Sequence, residues 1–150
     1  MTSNPVAART NDETQIRQLM EDWRSALATR DLDKLIQHYS PDVLFFDVIP
    51  PYQHRGVEAY RRTWEQMFPH LPPRISVQQR DVEITTSSDL AVSHCITRLV
   101  NADTNENAAA GWVRATVCYQ RQQGSWRVIH EHVSVPFDPM TGKATFTPEP

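Results

Sequence analysis

Ile75-Ser-Val-Gln-Gln-Arg-Asp-Val-Glu-Ile-Thr-Thr86 opens the second half of the chain, where the apolar pattern changes from a helical period to that of a strand. Three stretches of the same kind follow, over 90–102, 111–122 and Ser125-Trp-Arg-Val-Ile-His-Glu-His-Val-Ser-Val135. The breaks between them, at 87–89, 103–110 and 123–124, are polar. Long β-rich runs joined by such turns predict an antiparallel meander of four strands.

Upstream the period is helical. Ile16, Leu19, Met20, Trp23, Ala26 and Leu27 recur at steps of three and four and form one apolar stripe. Asn11 or Asp12 is the expected N-cap, with Glu13 in the first turn, and the helix should stop near 29–30. Asp31 caps a short second helix over 32–39, whose inner face is Leu35, Ile36 and Tyr39; Pro41 ends it. Val43-Leu-Phe-Phe-Asp-Val-Ile49 reads as a strand broken by Pro50 and Pro51. After the polar turn 53–56, a third helix over 57–68 carries Val57, Tyr60, Trp64, Met67 and Phe68 on one stripe and stops at Pro69. Three helices followed by an antiparallel sheet predict an α+β domain, with the helices packed on one face of a strongly curved sheet. Such a cone, closed at one end, is a pocket by construction. The expected organisation is a flexible polar tail over 1–11, one domain over 12–136, and an extended tail over 137–150.

Composition narrows the function classes. Among 150 residues, 39% are apolar and 22% charged, and 15 Lys and Arg stand against 18 Asp and Glu. The net charge of -3 lacks the cationic surplus that nucleic-acid binding requires. No apolar run reaches the length of a membrane span, and 1–11 has no apolar segment of a secretory signal, so neither membrane nor export is expected. Cys95 and Cys118 lie inside apolar β-branched runs and read as small buried hydrophobes in a reducing cytoplasm; a reactive thiol is the sharper alternative. With four glycines and no Gly-rich phosphate loop, nucleophile elbow or CxxC, no cofactor is expected.

The element order α-α-β-α-β-β-β-β, with Leu27-Ala-Thr-Arg-Asp-Leu-Asp-Lys-Leu35 between the first two helices, resembles the NTF2-like superfamily over about 12–144. Trp126-Arg-Val-Ile-His-Glu-His-Val-Ser-Val-Pro136, followed by Asp138-Pro-Met-Thr-Gly-Lys143, is similar to the closing strand of its SnoaL-like and ketosteroid isomerase-like branch. The resemblance implies a cone-shaped pocket. That superfamily includes isomerases, dehydratases, cyclases and non-enzymatic binders, so fold does not choose among them.

Asp47 is the sharpest candidate. It follows an apolar run at a strand end, where desolvation would raise its pKa and make it a better base. In the resembling isomerases an aspartate nine residues before the glycine that opens helix three shuttles the proton; Asp47 stands at that distance from Gly56. The alternative is a turn aspartate. The resemblance carries no further. The position of the family's oxyanion-binding tyrosine falls at Trp23, and no carboxylate stands near 116–118, where its protonated aspartate would be.

His130 and His132 share a strand face with Val128 and Ser134, their Cα atoms roughly 6.6 Å apart. The resemblance places them in the cone as candidate catalytic groups. Ile129, Glu131, Val133 and Val135 would then meet a second subunit and make a homodimer. Two histidines are half of a zinc site, which Asp47, His94 or His54 would have to complete; no metal is assigned. Arg114 alternates with Trp112 and Thr116. Facing the cone it would pair with Asp47, Glu131 or an acidic ligand; facing out, it would lie on the dimer face. His94 and Arg98 pose the same alternative one strand earlier, and Trp23, Tyr52 and Trp64 are the expected ligand-contacting wall.

Three functions fit these residues. The first is a cofactor-free isomerase or lyase moving a proton next to a carbonyl in a small apolar molecule. The second is a non-catalytic module that binds a small apolar, carbonyl- or carboxylate-bearing ligand or serves dimerisation. The third is a metal-dependent enzyme built on His130 and His132.

Overall fold

A computed structural model describes residues 4–146. Helix α1 spans Pro5–Thr29. The Asn4 side chain accepts the Val6 N–H at 3.1 Å, and proline at the first helical position needs no N–H partner. These caps start the helix well before Asp12, so 5–11, expected as a flexible tail, form its first two turns. Arg30 ends it in the left-handed region at φ 56°, its N–H returning to Ala26 and Leu27 carbonyls. Ile16, Ala26 and Leu27 are buried on its inner face.

Helix α2 spans only Leu32–Ile36, capped by Asp31 on the Lys34 N–H at 3.1 Å. Tyr39 is not its last residue. It begins strand β1, Tyr39–Phe46, where it pairs with Val128. Pro41 falls in the register break between Tyr39 and Leu44, where no ladder N–H is required. The two-residue strand β2, His54–Arg55, folds back on β1, and helix α3, Val57–Met67, follows and tightens into a 3-10 turn at Phe68–His70. Gly56 sits at φ 93°, in the left-handed range, and hydrogen-bonds the Val43 carbonyl at 2.7 Å.

The remaining strands are β3 Ile75–Thr86, β4 Leu90–Asn101, β5 Val113–Gln122 and β6 Ser125–Ser134, close to their expected limits. They form the antiparallel meander. The full sheet is mixed, however, in the order β2-β1-β6-β5-β4-β3, because β1 runs parallel to β6. The expected three N-terminal helices become one long helix, one short helix, and a third that follows β1 and β2.

Two bulges shape the sheet. On β3 the pairing slips between Arg80 and Glu83, with Asp81 at φ 54°. On β6, Val128 pairs with Tyr119 but His130 pairs with Cys118, so Ile129 is an extra residue. Each bulge bends its strand and reverses which residues face inward beyond it. The core between helices and sheet includes Leu27, Leu35, Val43, Tyr60, Val77 and Trp126.

Beyond β6 the chain is not simply extended. Phe137 bridges Ala144 and a tight turn closes from Asp138 to Gly142. Pro148 and Pro150 lie outside the described residues. Among the described residues, no helix is long and apolar enough to cross a membrane.

Candidate functional site

The concave face of the sheet and helices α1 and α3 enclose a cavity of about 200 Å³. An apolar cavity of roughly 150 Å³ takes a benzene ring, which sets the scale at one or two rings. Leu19, Met20, Val77, Leu99 and Val117 supply aliphatic walls. Trp23 and Trp64 meet edge to face at 6.1 Å, and Phe45 sets its edge against Tyr60 at 5.1 Å.

Into this surface projects Glu131. The bulge at Ile129 makes the inward residues of β6 Trp126 and Val128 before it, and Glu131 and Val133 after it. The Tyr39 hydroxyl lies 3.3 Å from Glu131 Oε1 and 2.9 Å from the Tyr60 hydroxyl, and both tyrosines hydrogen-bond the carboxyl. Trp23 Nε1–H donates to the Tyr60 oxygen at 2.9 Å, leaving the Tyr60 proton free to point at Glu131. The two phenol rings stack at 4.3 Å, which fixes the pair. Burial pushes both tyrosine hydroxyls well above their ordinary range, so they stay protonated donors. Glu131 is pushed up from 4.5 to about 7. Desolvation is the main cause; the tyrosine hydrogen bonds oppose it and the nearby Asp47 carboxylate adds to it.

Asp47 follows β1 and lines the same cavity, half-buried, with Oδ1 accepting the Val48 N–H at 2.6 Å. The cavity therefore holds two carboxyl groups, of which Glu131 is poised between acid and base near neutrality. Such a pair can divide the roles of proton acceptor and hydrogen-bond donor. Past the other end of β1, His38 lines the cavity with Nε2 at 2.8 Å from Asp22 Oδ2. Gln18 and His38 hydrogen bonds hold Asp22 below the ordinary carboxylate range, so the carboxylate accepts and Nε2 carries the proton.

Of the candidate site residues singled out from sequence, Asp47, Trp23, Trp64 and Arg98 line the cavity. The others do not. His130 and His132 face the opposite side of the sheet, where Phe46 packs against both rings at 4.8 and 5.3 Å and His130 Nδ1 bonds the Leu44 carbonyl at 2.7 Å. The cause is the Ile129 bulge. Arg114 and Ser134 share that outer face, Arg114 Nε donating to Ser134 Oγ at 3.1 Å. His94 lies there too, 3.8 Å from Glu83. Arg114 thus pairs with neither Asp47 nor Glu131. Tyr52 is 99% exposed in the loop between β1 and β2. No group of three or more His, Cys, Asp or Glu among the described residues could hold a metal. Cys95 faces the cavity, but burial pushes its thiol up to about 11, which disfavours the reactive thiolate.

Glu131, Tyr39, Tyr60 and His38 are the functional candidates that sequence reasoning missed. Tyr39 and Tyr60 stood only among the inner-face positions expected for the second and third helices. Nothing local marked Glu131, because its facing depends on the bulge.

Residues 16–138 match the SnoaL-like domain family. Among solved structures, an NTF2-like protein of unknown function from Pseudomonas putida KT2440 is 38% identical, with a TM-score of 0.85 over 94% of this chain and 98% of that one. A protein of unknown function with a cystatin-like fold from Nostoc punctiforme is 17% identical, with a TM-score of 0.72 over 93% and 96%. The second likeness shows the fold alone. No curated protein matches the sequence.

Proposed function

The chain belongs to the SnoaL-like domain family of NTF2-like proteins, and on that premise we propose that its cavity binds a small apolar carbonyl compound and moves a proton on the carbon beside the carbonyl. Asp47 is the base. It removes the α proton, and the C–H electron pair moves into the new C=C bond as the carbonyl electrons move onto oxygen. Glu131, in its acid form, donates a hydrogen bond to that oxygen and stabilises the enolate. The Tyr39 and Tyr60 hydroxyls orient the Glu131 carboxyl. Returning the proton at the γ carbon would be an isomerisation; loss of a β leaving group would make the protein a lyase. Both begin with this step.

The observation that carries the reading is the Glu131 carboxyl, raised to about 7 in an apolar cavity beside a second carboxyl. A neutral acid at that place supplies the donor that the sequence pattern lacked near 116–118. The enclosing Trp23 and Trp64 limit water at the reacting carbon.

The test needs no knowledge of the natural substrate. Cyclohexanone or 2-tetralone in deuterium oxide should exchange α protons faster with the protein than without it. Asp47→Asn should abolish the enhancement while moving the melting temperature little. The rate should fall as pH rises through about 7, where Glu131 loses its proton. Undiminished exchange by Asp47→Asn, or no enhancement by the wild-type protein, would sink this reading.

A further inference from the structure

The cavity lining carries two carboxyls, Glu131 and Asp47, and three basic side chains, Lys34, His38 and Arg98. The Asp47 charge acts on Glu131. The basic residues at the cavity edge are already engaged. Lys34 lies 3.8 Å from Asp31. Arg98 donates to Gln78 Oε1 at 2.8 Å and to Asn107 Oδ1 at 3.1 Å, and its guanidinium stacks over Trp112 at 4.6 Å. His38 is held by Asp22 at 2.8 Å. Arg114, His94, His130 and His132 all lie on the far side of the sheet.

We propose that this cavity selects its ligand by charge: it takes uncharged one- or two-ring carbonyl compounds and discriminates against carboxylates of the same shape. The proposal rests on the proton-transfer reading of the same cavity and adds the substrate class. An anion entering here meets two carboxyls. The cationic side chains of the lining, Lys34 and Arg98, already have other partners, and the apolar walls screen the repulsion little. A neutral carbonyl meets a different surface. Its oxygen can accept from the protonated Glu131, and its ring lies against Trp23, Trp64 and Phe45. The cavity volume of about 200 Å³ suits one or two rings.

Acetophenone and benzoate make a matched pair of probes, since a methyl group in one replaces an oxygen anion in the other. Binding is read by ligand-observed NMR or calorimetry with the full chain, without reference to turnover. Near pH 8, acetophenone should bind about 10-fold or more tightly than benzoate. Lowering the pH to about 6 should narrow that ratio, because Glu131 then carries a proton. The double variant Asp47→Asn, Glu131→Gln should narrow it further, and the pH arm needs no variant to fold. Benzoate binding as tightly as acetophenone in the wild-type protein would overturn this inference and leave proton transfer standing. Saturable binding of neither probe would overturn both. Acetophenone preference without α-proton exchange would support the charge rule and overturn the catalytic reading.

Discussion

Replacing Glu131 by glutamine should remove a pH dependence from the stability of the fold. In the folded chain the carboxyl is raised from 4.5 to about 7. Between those values the folded state holds a proton that the unfolded chain has released, so raising the pH favours unfolding. The stabilisation is fully present below about 4.5 and is lost as pH rises through about 7. At about 1.4 kcal/mol per unit, the full window amounts to about 3 kcal/mol. Glutamine keeps the size and hydrogen-bonding oxygen of the acid but does not titrate. Wild type and variant should therefore be similarly stable near pH 4.5. By about pH 8 the variant should be the more stable by up to about 3 kcal/mol, less whatever its weaker bonds to Tyr39 and Tyr60 lose. Urea unfolding of both proteins across that range gives the comparison, with unchanged slopes certifying the same transition. Titrating groups that do not interact with Glu131 cancel in the difference. A gap between the two proteins that stays constant with pH would refute the placement of Glu131 in a desolvating site.

Two further outcomes follow from the same geometry. Tyr60→Phe leaves the Trp23 N–H without its acceptor and takes one donor from Glu131; it should cost about 1–3 kcal/mol in urea unfolding and push the Glu131 pKa higher still, and an unmoved Glu131 titration would contradict the network. His130→Ala and His132→Ala should leave acetophenone affinity within about two-fold of wild type, because both rings face away from the cavity; a loss of binding on titration calorimetry would return them to the site.

The strands of the meander were legible because their alternation is local. β3 runs over the same 75–86 that the sequence marks, and β4 and β6 differ from expectation by one residue at one end. Tyr39 was not legible. It extends a helical stripe by spacing, yet its pairing with Val128, far along the chain, draws it into β1. The same non-local contact makes the sheet mixed. The larger error in the site has a single origin. Ile129 is apolar and fits either face, so nothing in the local pattern marks it as the extra residue of a bulge. Reading β6 as a regular strand turned His130, His132 and Ser134 inward. Cross-strand pairing ties Arg114, Thr116 and His94 to that same face, so the whole set belongs together on the outer side. The residues carrying the pocket chemistry that could be read, Asp47, Trp23 and Trp64, lie outside β6 and were unaffected by its parity.

The titration of the Glu131 side-chain carboxyl, followed by carbon-13 NMR with Glu131→Gln to assign the resonance, bears most directly on the whole account. A midpoint near 7 is expected for a carboxyl held in the cavity by Tyr39 and Tyr60. A midpoint near the ordinary 4.5 would mean a solvated glutamate, and neither the proton chemistry nor the charge selectivity assigned to this pocket would stand.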